Sequence, residues 1–129
     1  SKGFARYGDF DYAKPVIITY SLESFFKVAQ TGYAVALVVL PTLCNQHQTE
    51  LKAFDFKQIK FVINQLSKAG YTQLYMPVRP EHIQLEVFQS LEKNTAVKLL
   101  NQYQKADRSE FLTNLYKDDD TEEVQAVHF

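Results

Sequence analysis

The run Tyr33-Ala34-Val35-Ala36-Leu37-Val38-Val39-Leu40, between Gly32 and Pro41, is the feature that most restricts how this chain can fold. It is apolar at every position, so neither of its faces can be left in water. A strand on the surface of a sheet alternates apolar and polar residues. One without alternation belongs at the centre of a sheet covered on both sides. The run is also far too short to cross a bilayer as a helix.

The residues before it supply a partner. Pro15 opens the β-branched run Val16-Ile17-Ile18-Thr19-Tyr20, which reads as a strand. Ser21 follows as an N-cap, and Leu22, Phe25, Phe26 and Ala29 recur at helical spacing until Thr31-Gly32. A β-α-β unit therefore spans roughly residues 15 to 41. Further on, Ile59, Val62, Ile63 and Leu66 form one helical stripe, with Asp55 as its expected N-cap and Gly70 as its stop. Tyr71 to Met76 returns as a strand. Pro80 fits the first turn of a third helix carrying Ile83, Val87 and Leu91. Asn94-Thr95 breaks that helix, after which Val97, Leu100 and Tyr103 continue at helical spacing. Asp107 is placed to cap a last helical segment with Phe111, Leu112 and Leu115.

Two architectures follow. If Thr49 to Phe54 is a strand, the order is β-α-β-β-α-β, an α+β fold with a split-βαβ (ferredoxin-like) sheet and additional C-terminal helices. If it is loop, the order becomes a three-stranded parallel α/β sheet, at the expense of a long connector. The first is the expected fold. Residues 1–14 form an aromatic arm without period, 15–117 a single domain, and 118–129 an acidic, solvated tail. A chain of 129 residues with 46% apolar content is enough for one core.

Composition excludes several classes. Cys44 is the single cysteine, so no internal disulfide can form. No stretch has the pattern of a signal peptide, and the expected location is the cytoplasm, or the host-cell interior for a viral chain. The net charge is −1. Asp118, Asp119, Asp120, Glu122 and Glu123 hold five of the acids, leaving 14 basic against 10 acidic side chains in residues 1–117. That balance permits nucleic acid without the strong basic excess of a dedicated duplex binder.

Motifs that carry chemistry are absent. The glycines at positions 3, 8, 32 and 70 make no phosphate loop, no Cys pair or spaced His pair offers a zinc site, and no nucleophile elbow occurs. No catalytic residue, metal ligand or cofactor is assigned. Cys44 and His47 have the residue types of a nucleophile pair, but a small buried thiol and a solvated imidazole account for them equally. Ser21 opens one helix, and Arg79 and His82 bracket the start of another, where free amides and the helix dipole favour an anion. Ordinary capping competes with that reading, and Glu81 already compensates the dipole.

The two ends carry the interaction signals. Phe4, Tyr7, Phe10 and Tyr12 give the N-terminal arm a large contact area, for its own domain or for a partner. At the other end, Asp118-Asp119-Asp120-Thr121-Glu122-Glu123 precedes Val124, Val127 and Phe129. Acidic residues keep such a segment extended, and its apolar residues gain from burial against a basic, apolar-floored pocket. This tail resembles the acidic, Phe-terminated tips of single-stranded-DNA-binding proteins. The likeness stops there: those proteins are all-β barrels, and this body is helix-rich and lacks Trp.

The expected function is a non-enzymatic interaction or regulatory module that binds a protein partner, as a monomer or homo-oligomer, away from membranes. One alternative is single-stranded nucleic-acid binding through aromatics such as Tyr20, Tyr33, Phe54, Tyr71 and Tyr75 on an open sheet. Another is a small enzyme or anion-binding regulator built on Ser21, Arg79 and His82.

Overall fold

The computed structural model describes residues 3–40 and 51–101. Five strands form one mixed sheet: β1 (Phe4–Tyr7), β2 (Val16–Thr19), β3 (Ala34–Val38), β4 (Leu74–Val78) and β5 (Val97–Asn101). Four helices connect them: α1 (Leu22–Ala29), α2 (Ala53–Ala69), α3 (Pro80–Ile83) and α4 (Glu86–Asn94). The spatial order is β1-β3-β2-β4-β5. All pairings among β2 to β5 are parallel, and β1 runs antiparallel to β3.

The apolar run behaves as its pattern requires. All five residues of β3 are buried, and so are the four of β2. Val16, Ile18, Ala34, Ala36 and Val38 join the larger core with Leu74, Met76 and Leu99. This side is covered by Ile59, Val62, Ile63 and Leu66 of α2 and by Phe88 and Leu91 of α4. On the opposite face Ile17, Val35 and Leu100 cluster with Val28 of α1, and Phe25 and Ala29 pack against them. Thr19, a polar residue wholly buried in the sheet, donates its hydroxyl to the Ala36 carbonyl at 2.8 Å. A buried hydroxyl without such a partner would cost stability.

Helix boundaries follow from local chemistry. Ser21 caps α1, its Oγ accepting from the Ser24 amide at 3.2 Å. The stripe that meets the sheet is Phe25, Val28 and Ala29, whereas Leu22 and Phe26 face solvent. Gly70 ends α2 with φ 116°. Its start departs from expectation: Lys52 is the N-cap, and Asp55 sits in the first turn, accepting from the Lys52 amide at 2.8 Å. A carboxylate there satisfies a free N–H and opposes the positive helix end.

Several expectations are corrected. Ala53 and Phe54 begin α2, and Leu51 and Lys52 belong to no strand, so the extra strand of the split-βαβ order is not found among the described residues. A split-βαβ sheet also pairs its strands antiparallel, whereas β2, β3 and β4 are parallel neighbours. The parallel β-α-β-α-β series is present within a larger mixed sheet. Val97 and Leu100 lie in β5 and not in a helix, because Leu99 and Leu100 are buried in the two opposite cores. The third helix is two: α3 stops at Ile83, and α4 begins after Leu85. Tyr103, Asp107, Phe111, Leu112 and Leu115 lie outside the described residues.

The N-terminal arm holds a strand. β1 pairs Phe4 with Val38 and Tyr7 with Val35, giving partners to a β3 edge that would otherwise expose free backbone groups. Gly8 turns the chain away at φ 95°, where a Cβ would lie 3.1 Å from the Tyr33 carbonyl oxygen. Gly32 has nearly the same φ, 91°, but open space around it. Gly8→Ala should therefore destabilise the fold by about 1–3 kcal/mol, and Gly32→Ala by distinctly less. Urea unfolding midpoints compare them; equal losses would show that crowding by Tyr33 contributes nothing.

Candidate functional site

Two places in this fold bring chemistry-bearing residues together. The first is the crevice between β2 and β4. The chain leaves β2 toward β3 on one side and leaves β4 toward β5 on the other, so the strand order reverses between them. Ligands of parallel sheets collect at such points. Tyr20 and Ser21 follow β2, and Arg79 and His82 follow β4. Three of the four are joined by hydrogen bonds. The Tyr20 hydroxyl lies 2.8 Å from His82 Nδ1 and accepts from the Arg79 amide at 3.1 Å.

This cluster is closed. Tyr20 is 6% exposed and His82 7%. The imidazole stacks on Phe88 with centroids 5.6 Å apart, and Tyr20 lies against both rings. Burial pushes the Tyr20 phenol far above its ordinary value, against the lowering effect of the Arg79 amide. A phenol that stays protonated directs its O–H at Nδ1, so His82 serves as the acceptor. The Arg79 guanidinium is engaged as well, its Nε 2.6 Å from a Glu81 oxygen. Glu81 is held below the usual carboxylate range by its own backbone amide, against the raising effect of burial and with the help of the Arg79 guanidinium. Of the expected anion-binding residues, His82 is bonded to Tyr20 in the crevice, the Arg79 guanidinium pairs with Glu81 at the half-exposed surface, and Ser21 caps α1. The arrangement does the work of a clasp, tying the end of β2 to α3 and, through Phe88, to α4.

The second place is a groove of about 480 Å³ between α2 and α4. From α2 it takes Ala53, Phe56, Lys57 and Lys60; from α4 it takes Val87, Ser90, Leu91 and Asn94, with Thr95 at its end. Its position follows from the stripes of the two helices. Ile59, Val62, Ile63 and Leu66 point α2 at the sheet, which turns Phe56 and Lys60 toward α4. Phe88 and Leu91 do the same for α4 and leave Val87 and Ser90 on the flank facing α2. The floor is apolar, and Lys57 and Lys60 rise on one wall. No acidic residue is among the described lining residues. Sequence reasoning missed this groove: the Lys57–Lys60 spacing on one flank of α2 was visible, but its neighbour was not.

The aromatic arm folds back on its own domain. Tyr12 stacks on Tyr71 at 4.6 Å, Phe10 meets the same ring edge-on at 5.8 Å, and Phe4 packs on the core. The Arg6 guanidinium covers Phe10 at 4.1 Å. Tyr7 and Tyr12 remain more than half exposed. Of the aromatics considered for base stacking, Tyr20 and Tyr71 are core residues. Tyr33 and Tyr75 pack beside α1, and Phe54 stands exposed on α2. Cys44, His47, Asp118, Asp119, Asp120 and Phe129 lie outside the described residues. Among the described residues no group of His, Cys, Asp or Glu is placed to hold a metal ion, and no helix is long and apolar enough to cross a membrane.

The buried phenol has a consequence at alkaline pH. Tyr20 ionises near its ordinary value of 10.0 in the unfolded chain and far higher in the folded one. Above pH ~10 the unfolded state therefore holds fewer protons, and stability should fall as pH rises. Tyr33, raised by the same cause, adds to the slope. Tyr20→Phe should cost about 1–3 kcal/mol at neutral pH by stranding the Arg79 amide and His82 Nδ1, and it should flatten the alkaline loss. Denaturant titrations at pH 8 and pH ~10.5 test this; an unchanged slope in the variant would remove Tyr20 as its origin. No family model, no curated protein and no solved structure matches this chain.

Proposed function

We propose that this protein is a non-enzymatic interaction module that receives an acidic, apolar-bearing segment of a protein partner in the groove between α2 and α4. The observation that carries this reading is the groove's makeup. Phe56, Val87 and Leu91 supply an apolar floor, and Lys57 and Lys60 supply positive charge with no acid among the described lining residues. An extended or helical segment with carboxylates beside apolar side chains complements both features. The volume lies within the ordinary range of binding clefts, and clefts between helices are a common place for them. The β2–β4 crevice supports the same conclusion from the other side, since its polar groups are already bonded to one another.

The test is a displayed random-peptide library panned against the full chain and against a Lys57→Glu/Lys60→Glu variant. Both lysines are exposed, so the double substitution should change stability by less than about 1 kcal/mol, checked by thermal unfolding. The wild type should enrich peptides that combine Asp or Glu with Val, Leu or Phe, and the variant should enrich none of them. Enrichment that ignores the two substitutions would place the binding surface elsewhere. A single-stranded oligonucleotide bound with the same lysine dependence, where acidic peptides are not, would replace the protein-partner reading with nucleic acid.

A further inference from the structure

Resting on that reading of the groove, we propose that the segment seated there in the isolated protein is the chain's own residues 118–129, bound in cis and displaced by a partner. The tail has the chemistry the groove asks for. Asp118, Asp119, Asp120, Glu122 and Glu123 put five carboxylates directly before Val124, Val127 and Phe129. The groove offers Lys57 and Lys60 on one wall, and Phe56, Val87 and Leu91 beneath. The acids near it are disposed elsewhere: Asp55 is buried and bonded to the Lys52 amide, and Glu92 accepts from the Leu99 amide. Together with Lys93, Glu86 lines a neighbouring pocket that shares only Ser90 with the groove. Residues 1–117 carry the basic excess and 118–123 the acidic one, so folding the tail back pairs the two.

The chain is long enough for this. β5 ends at Asn101, and residues 102–117 separate it from the tail. A segment of that length spans at most about 50 Å when fully extended. Tethering at such distances gives an effective concentration on the order of 1 mM. A tail with an intrinsic Kd of roughly 100 μM would then occupy the groove about ten times in eleven and weaken an outside ligand about tenfold. Weak intrinsic affinity is thus sufficient for the tail to compete with a partner for the groove.

The experiment places a nitroxide at residue 126 of the full chain, through Ala126→Cys in a Cys44→Ala background, and reads amide line broadening by NMR. The amides of Lys57, Lys60, Val87, Ser90 and Leu91 should broaden, with an effect independent of protein concentration and lost in the Lys57→Glu/Lys60→Glu variant. Broadening that is absent, that falls on other surfaces, or that survives the double substitution would overturn the proposal. Broadening that grows with concentration would assign the groove to the tail of a second copy and overturn the cis arrangement. In a second arm, a peptide enriched by panning is titrated onto the full chain with Asp118, Asp119 and Asp120 changed to Asn. It should bind about tenfold tighter than to wild type. Equal affinity would show that the tail does not compete, while lysine-dependent peptide binding would leave the groove's role as a partner site intact.

Discussion

The structure depends on covering two strands that have no polar face. β2 and β3 are buried at every position, and a sheet built around them needs helices on both sides. That requirement sends α1 to one face and α2 with α4 to the other, since consecutive parallel strands must be joined by crossovers. The long α2 carries the chain past β2, from β3 on one side to β4 on the other. The reversal of strand order is produced by that passage. So is the side-by-side placing of α2 and α4, from which the groove arises.

Polar groups at the reversal are resolved internally. Tyr20, Arg79 and His82 come from segments about sixty residues apart, yet each satisfies another in a region largely closed to water. Such a cluster specifies where the end of β2 must lie relative to α3, because any slippage would leave buried donors and acceptors unpaired. The Tyr20 hydroxyl, His82 Nδ1 and the Arg79 amide are committed here to the fold. The unspent chemistry lies on the outer helices, where charged lysines border apolar side chains.

Much of the fold was legible in the sequence where local signals were strong. Ser21, Gly32 and the apolar run marked the β-α-β unit, and Gly70 marked the end of α2. β1 was hidden because Phe4-Ala5-Arg6-Tyr7 is short and sits between glycines, and its reason for being a strand is the edge of β3. β5 was hidden because Leu99 and Leu100 are buried on opposite faces while Lys98 is exposed, which blurs the alternation, and Val97 and Leu100 then imitate a helical stripe. Strand order depends on which way each crossover travels, and no residue pattern records that. The same limit applies to sites. Arg79 and His82 were visible as neighbours in sequence, but their bonds to Tyr20 and the meeting of Lys60 with Val87 are products of the tertiary arrangement.

The antiparallel edge strand carries an implication for the life of the chain outside its native state. β1 is only four residues long and hinges on Gly8, yet among the described residues it is what pairs with the outer edge of a strand that is apolar throughout. Were β1 to peel away, Ala34–Val38 would become an open edge of high β-propensity and no charge. Such an edge templates pairing between molecules. Pairing with β1 therefore shields that edge, and its loss would leave the outer side of β3 with unpaired backbone groups.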